Sequence, residues 1–359
     1  MSLPPASPLP VAAGYVAALH RSTPTRLWIN NPTPDEARRA LALGVRSCTT
    51  NPTYTAKILK TLGEPARQAL LSTISAQYPD PDQAVDAAQR MVLSALLPLF
   101  APALDPATPY AGLVSIQGNP HCDTDAVHML HEAAGYAALG PNVIFKIPAT
   151  RAGLEAIESL LREGRPVLAT EMMSVAQVLA ACAVYRRVQA ATGRSPVLIL
   201  THITGIYDQY LGEQAARLAP ELPSALVAEA GVLIARRCAA VLAQSQLPIG
   251  IMGGGARHTR HLTELVGGPY QVTVNPDMVE ALVAANQPPT PRFHTPTDPH
   301  QVERLSHHLP DFRRAWEAEG LRPEEFEQFG PIRLFLSMFT SGWDQVRAQF
   351  QTRSRSHHA

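Results

Sequence analysis

Of the 30 basic residues in this chain only three are lysines, Lys57, Lys60 and Lys146, and Lys146 sits where a cation is costly. It lies inside Val143-Ile144-Phe145-Lys146-Ile147-Pro148, a β-branched apolar run of the kind that forms a buried strand. Burial penalises the ammonium, so the group lowers its pKa and sheds its proton. A neutral amine in an apolar pocket is the nucleophile of Schiff-base chemistry. The plain alternative is a lysine whose stem lies along the strand and whose head reaches water. Lys57 and Lys60 fall in a helical stretch, where a solvated cation needs no explanation.

The elements that must position Lys146 follow from the alternation of patterns. Short β-like runs at 26–30, 47–51, 112–117, 142–148, 166–170, 196–201, 247–253 and 270–275 alternate with helical stretches. The helices are expected at 34–44, 53–76, 82–102, 123–138, 151–163, 173–192, 222–243, 256–266 and 276–285. Alternating β and α implies a parallel sheet covered by helices. Eight such units predict a (β/α)8 TIM barrel over 26–286, with reactive groups at the C-terminal ends of the strands. A doubly wound open sheet is the alternative, but no G-x-G-x-x-G follows the first strand. Residues 1–25 read as an N-terminal extension and the Pro-rich 287–310 as a linker. The stretch 311–351, with Phe326, Phe329, Phe335, Phe339 and Trp343, reads as extra C-terminal helices packing on the barrel, with a lid over its mouth as the sharper reading; 352–359 reads as a disordered tail.

At 359 residues the chain suits one large barrel. A formal net charge of zero argues against nucleic acid or an anionic membrane surface as partner. Four scattered cysteines with no C-x-x-C pair suggest reduced thiols in a cytoplasmic protein, and the thirteen histidines show no metal-ligand spacing. No basic leader or unbroken apolar span is evident. A homo-oligomer is compatible with a barrel, though no surface patch in the sequence argues for one.

Three stretches, taken together, resemble the transaldolase family of class I Schiff-base enzymes. They are Cys48-Thr49-Thr50-Asn51-Pro52, then Phe145-Lys146-Ile147-Pro148-Ala149-Thr150 with Gly153-Leu154 and Ala156-Ile157, and then Thr170 with Ala176-Gln177. The resemblance runs from about residue 26 to 286. It implies that Lys146 attacks a ketose carbonyl, that the resulting iminium permits C–C cleavage to an enamine, and that no metal or organic cofactor takes part. It further implies that Thr170 works with a water near the imine, while Thr50 and Asn51 line the pocket. The substrate would be a small carbonyl compound of sugar type.

The departures are as informative. Where the family has an aspartate at the end of strand one and a glutamate at the end of strand three, this chain has Asn30 and Gln117. An amide can orient a hydroxyl but cannot exchange a proton near neutral pH, and general acid–base catalysis contributes about 10²–10⁴-fold. The fructose-phosphate aldolase branch resembles Gln117 at its place; Asn30 has no such excuse. In the phosphate loops, Thr201-His202-Ile203-Thr204-Gly205-Ile206 puts Ile206 where the family has an arginine, and Gly255 replaces a serine. Gly254, Gly255 and Arg257 remain to hold an anion.

Proton carriers are therefore sought elsewhere, in the order His202, Glu171, Tyr207. Strict strand alternation points Glu171 away from the lumen, unless it lies at the mouth. Three readings follow: a transaldolase-like lyase or transferase with a shifted substrate, as in a specialised sugar or natural-product pathway; an ordinary transaldolase; or a catalytically retired barrel that binds a metabolite or partner.

Overall fold

In a computed structural model of the chain, which describes residues 14–105, 107–108 and 110–356, eight parallel strands close into a barrel in sequence order. They are β1 (Arg26–Asn30), β2 (Cys48–Thr49), β3 (Val114–Ile116), β4 (Val143–Pro148), β5 (Val167–Met172), β6 (Leu198–His202), β7 (Gly250–Gly253) and β8 (Tyr270–Val274). β8 closes on β1 from Arg26↔Gln271 to Ile29↔Val274. The (β/α)8 expectation is borne out.

Alternation along each strand separates two surfaces. Leu27, Ile29, Val114, Ile116, Phe145, Ile147, Val167, Ala169, Leu198 and Leu200 join the core shared with the helices. Trp28, Leu113, Ile144, Leu168, Ile199 and Met252 form a separate apolar plug, the floor of the barrel. Two residues further along the same chains stand Asn30, Ser115, Lys146, Thr170, Thr201 and Gly254. The change from hydrocarbon to amide, hydroxyl and amine thus falls at one level of the barrel, above the plug.

Helix starts hold the strand ends in place. Thr150 Oγ1 accepts the Gly153 amide at 2.9 Å and caps the helix Arg151–Arg162 that follows Lys146. That helix packs so near β4 that a Cβ at Gly153 would run into the Pro148 carbonyl. Ser174 caps the helix Val175–Thr192 after β5.

Several boundaries differ from expectation. The helix expected over 53–76 breaks at Gly63 into Thr53–Thr61 and Glu64–Gln77. The helix Thr204–Leu218 after β6 was not expected; its start has no side-chain cap and glycines sit at 205 and 212, so its local signal is weak. The Pro-rich 287–310 is more than a linker: Phe293 packs on Tyr270 with ring centroids 5.7 Å apart, and Asp298 caps a helix Pro299–His308. The 1–25 extension includes a helix Tyr15–Ser22 whose Tyr15, Val16 and Leu19 are buried, while residues 1–13 lie outside the described residues. The last helix runs Gly330–Ser356, past the boundary expected at 351, and 357–359 lie outside the described residues. The helical stretch 81–103 is long and apolar enough to cross a membrane by composition, but half of it is buried in the fold.

The terminal helix crosses the C-terminal face of the barrel. Trp343 Nε1 donates to Asp82 Oδ1 at 2.8 Å, and His121 Nε2 meets Asp344 Oδ1 at 2.9 Å. These contacts anchor it to the segments after β2 and β3.

Candidate active site

Lys146 is the one buried lysine of the three, 6% exposed, inside the barrel two residues above the floor. Burial pulls its pKa down from 10.5 to about 8, against the opposing pull of Glu171 and Asp123. A sizeable fraction is therefore a neutral amine near physiological pH. The amine opens onto a cavity of ≈210 Å³.

The cavity wall combines four asparagines and four threonines with apolar side chains. Asn30 donates through Nδ2 to Asn275 Oδ1 at 2.9 Å and accepts from Thr49 Oγ1 at 2.9 Å; Thr49 in turn meets Thr273 Oγ1 at 2.7 Å. Asn31, Asn51 and Thr53 form a second cluster, with Asn51 Oδ1 accepting from Asn31 Nδ2 at 3.1 Å and Thr53 Oγ1 at 2.7 Å. Thr201, Gly254, Gly255 and Arg257 close the opposite side. Gly255 has φ 63, and a Cβ there would press into Ile203, so glycine is required at this turn. The loop is pinned by His261, whose Nδ1 accepts the Arg257 amide at 3.0 Å and whose Nε2 meets Asp208 Oδ2 at 2.8 Å. Arg257 stands exposed at the rim. Phe335, Met338 and Phe339 of the terminal helix supply the roof. The C-terminal segment packs through Phe326 and Phe329, ahead of the terminal helix, and through Trp343 within it, while Phe335 and Phe339 of that helix cover the cavity.

Glu171 departs from the alternation that would turn it outward. It is a non-glycine residue with φ 59, and the β5–β6 register shifts between Ala169 and Met172. This bulge swings the carboxyl to the Lys146 side, where it is 1% exposed and its Oε1 accepts from Gln117 Nε2 at 3.1 Å. Gln177 pins the bulge: its Nε2 donates to the carbonyls of Glu171 and Ala149, both at 3.0 Å, and its Oε1 accepts the Met173 amide at 2.8 Å. Burial raises Glu171 from 4.5 to about 7, while Lys146, Gln117 and Asp123 pull the other way.

Asp123, which sequence reasoning did not single out, completes the group. It follows the turn Pro120–Cys122 after β3, is 4% exposed, and its carbonyl accepts from Thr150 Oγ1 at 2.8 Å. Burial, then repulsion from Glu171 and Glu132, pushes its pKa well up. Its Oδ2, like Glu171 Oε2, is buried without a hydrogen-bond partner. No sequence signal marks it: it is one of two acids in a short loop, with Asp125, the cap of the next helix, two residues on.

The remaining sequence candidates separate. Thr170 is buried beside Pro148 of β4 with its Oγ1 unpaired, in register with Lys146's strand. Thr50 does not line the cavity; its Oγ1 donates to the Ser115 carbonyl at 2.6 Å and serves the β2–β3 seam. His202 also lies off the cavity wall, and burial, then His261, lowers its pKa to about 3, so it is uncharged near neutrality. Tyr207 OH donates to the Asp311 carbonyl at 3.0 Å and ties the barrel to the C-terminal segment. Geometry thus puts Glu171 ahead of His202, where the sequence had His202 first, and leaves it ahead of Tyr207. Among the described residues no cluster of His, Cys, Asp and Glu has the makings of a metal site.

Lys146 on the fourth strand and Asn51 in the loop after the second line one cavity, while Thr170 on the fifth strand is buried outside its wall. The family model described as Transaldolase/Fructose-6-phosphate aldolase matches residues 27–328. The chain belongs to this family. It is 34% identical over 130 residues to a transaldolase of Neisseria meningitidis, a stretch covering 35% of this chain and 36% of that protein. It is 38% identical over 94 residues to a probable transaldolase of Rhodospirillum centenum, covering 24% of this chain and 41% of that protein. The matched stretches span only about two fifths or less of these relatives. Asn30 and Gln117 stand at the strand ends where the resemblance implied carboxylates, and Glu171 stands on the β5 bulge.

Proposed function

We propose that the protein is a transaldolase-like enzyme that makes or breaks a C–C bond through an imine and an enamine on Lys146. The observation that carries this reading is the position of the amine: its pKa drawn down to about 8, above an apolar floor, and open to a cavity with four asparagines and four threonines in its wall. The amine adds to a carbonyl and water departs. The iminium then draws the electrons of the neighbouring C–C bond while the hydroxyl beyond that bond gives its proton to water, leaving an enamine and an aldehyde. The enamine adds to a second aldehyde, or is protonated and released. The lysine is the electron sink, so the reading calls on no cofactor.

The walls suggest a polyhydroxylated ketose-type substrate. Arg257 is the one permanent cation among the residues lining the cavity, and it stands at the rim. With Ile206 and Gly255 in the phosphate loops, this supports a substrate with at most a single anionic group, as in a specialised sugar or natural-product pathway. The names of the relatives favour a second reading, ordinary transaldolase activity. Buried free thiols at Cys48, Cys182 and Cys238 fit a reducing cytoplasm.

Borohydride trapping with peptide mass spectrometry tests the proposal. Dihydroxyacetone, fructose 6-phosphate, sedoheptulose 7-phosphate and unphosphorylated ketoses would each be incubated with the protein. A reduced adduct on Lys146, lost in Lys146→Met, is expected. No adduct from folded protein with any ketose would shift the case to a retired barrel. Turnover of sedoheptulose 7-phosphate with glyceraldehyde 3-phosphate in a coupled assay would favour the second reading.

A further inference from the structure

We propose that Glu171 and Asp123 share one proton and are the acid/base pair for imine formation and hydrolysis at Lys146, a carboxyl function moved from β1 and β3 to the β5 bulge and the loop after β3. This inference rests on the Schiff-base reading and adds the residues that carry its protons.

The geometry is specific. Two carboxyls from separate elements are buried, and each acts on the charge of Lys146. Two carboxyls held together away from water favour a proton on one of them. Asp123 Oδ2 and Glu171 Oε2 are buried with no N–H or O–H donor from the protein. A carboxylate that served only stability would be paired with donors. A regular strand would also have turned Glu171 toward the helices; instead the chain holds it in a left-handed backbone conformation and fixes that conformation through Gln177. Backbone held in a sparsely populated region tends to occur at functional sites.

Gln117 fits this arrangement better than a glutamate would. Its amide donates to Glu171 Oε1, whereas a third carboxyl there would repel both acids. Beside Lys146, a second cavity of ≈10 Å³ is lined by Gln117, Asp123, Glu132 and the lysine itself. That is about the room of one water molecule. Lys146 lines this cavity as well as the larger one, so water and substrate meet at the same amine.

The proton balance closes with one shared proton. The neutral amine forms the C–N bond as the carbonyl π bond breaks, and the nitrogen proton moves to the oxygen by way of the pair. The pair then gives its proton to the carbinolamine hydroxyl, the C–O bond breaks and water leaves. The iminium, with charge +1, now faces two carboxylates. On hydrolysis, the attacking water returns a proton to the pair.

Other titratable groups face this cluster from the helix Ala126–Ala137. Glu132 accepts the Asn119 amide at 2.8 Å and lies 3.3 Å from His128 Nε2. Tyr136 donates to Asp86 Oδ1 at 2.7 Å. β4 contributes Lys146, and the terminal helix contributes Phe339, which is uncharged.

The test is the rate of trapping of dihydroxyacetone on Lys146 as a function of pH, in the full-length protein and in Glu171→Gln, Asp123→Asn and the swap Gln117→Glu with Glu171→Gln. An absent wild-type adduct would overturn the Schiff-base reading, and this inference with it. Given a wild-type adduct, the rate should climb as Glu171 and then Lys146 lose their protons, about pH 7 and about pH 8, and fall at higher pH as Asp123, whose pKa is pushed well up, gives away the pair's remaining proton. Glu171→Gln should lower the rate by about 10²-fold and remove the acid-dependent limb, with partial recovery in the swap. Wild-type rates and profile in folded Glu171→Gln would overturn the pair and leave the Schiff base standing. Should the variants not fold, a wild-type rate that follows Lys146 alone would overturn it equally.

Discussion

The ring of Phe339, on the terminal helix, lies with its centroid 5.2 Å from Lys146 Nζ on β4. A residue close to the C-terminus thus sets the environment of the reactive amine. Phe339 is 2% exposed and stacks obliquely on Phe335, with centroids 4.2 Å apart. Truncation should admit water to the amine. Phe339→Ala should therefore raise the pKa of Lys146 from about 8 toward its ordinary value, because burial is the main cause of the depression. The pH at which borohydride trapping reaches half its maximal rate should move up. The deleted ring should also cost about 3–5 kcal/mol of stability, read in denaturant melts. An unchanged trapping profile would show that the roof does not control the amine.

Glu171 should weaken the fold that holds it. Its folded pKa, about 7, is raised above the ordinary 4.5. Between those values the folded state keeps a proton that the unfolded state has lost, so stability falls as pH rises through the window. Above it the full penalty of a buried carboxylate is present, on the order of a few kcal/mol. Glu171→Gln should remove this penalty and still reach Gln117 and Asp123. The variant should melt higher than wild type near pH 8, with the gap closing toward about pH 5. A gap of the same size at both ends would mean that the carboxylate carries no such penalty.

How much of this was legible follows from how each residue is specified. Lys146 stood out because an apolar strand with strict parity places it, and parity is a local property. The polar tier of Asn30, Thr170 and Thr201 follows from the same count along neighbouring strands. Glu171 escaped it because one left-handed residue reverses parity, and a bulge has no signature in side-chain pattern. Asp123 sits in a loop without periodicity, and its contacts with β4 and β5 are made only by barrel closure. Asn275 and Thr273 join Asn30 and Thr49 across the β8–β1 seam, between residues more than two hundred positions apart. Phe335 and Phe339 were visible as an apolar helical pair; that they roof the cavity depends on where the terminal helix crosses.

Gln177 reaches no substrate-lining wall, yet it fixes the backbone of Glu171, Ala149 and Met173 with one amide. Replacing it by alanine should release the bulge. Three hydrogen bonds lost from buried backbone groups should cost about 2–4 kcal/mol. Activity should suffer more than stability, because misplacing a reactive group by about 1 Å can cost 10²-fold. The loss should fall on kcat and leave KM nearly unchanged, since the cavity wall is intact. A loss confined to KM would place Gln177 in substrate binding instead.

Asn30 offers the most direct comparison of the two functional readings. Its amide is held between Thr49, which donates to Oδ1, and Asn275, which accepts from Nδ2. An aspartate would keep the first bond and lose the second, unless Asn275 turned its own amide to donate. That turn exchanges two nearly isosteric atoms, so Asn30→Asp should cost less than about 2 kcal/mol. It would place a carboxylate at the end of β1, where the resemblance puts one. If this chain handles a shifted substrate only because that base is absent, Asn30→Asp should gain turnover of sedoheptulose 7-phosphate with glyceraldehyde 3-phosphate. The gain should be well short of the 10²–10⁴-fold or so of a full general base, because Ile206 and Gly255 still leave the phosphate loops without their arginine and serine. No gain in a folded variant that still traps dihydroxyacetone on Lys146 would locate the change of specificity in the phosphate loops and the roof instead of the first strand.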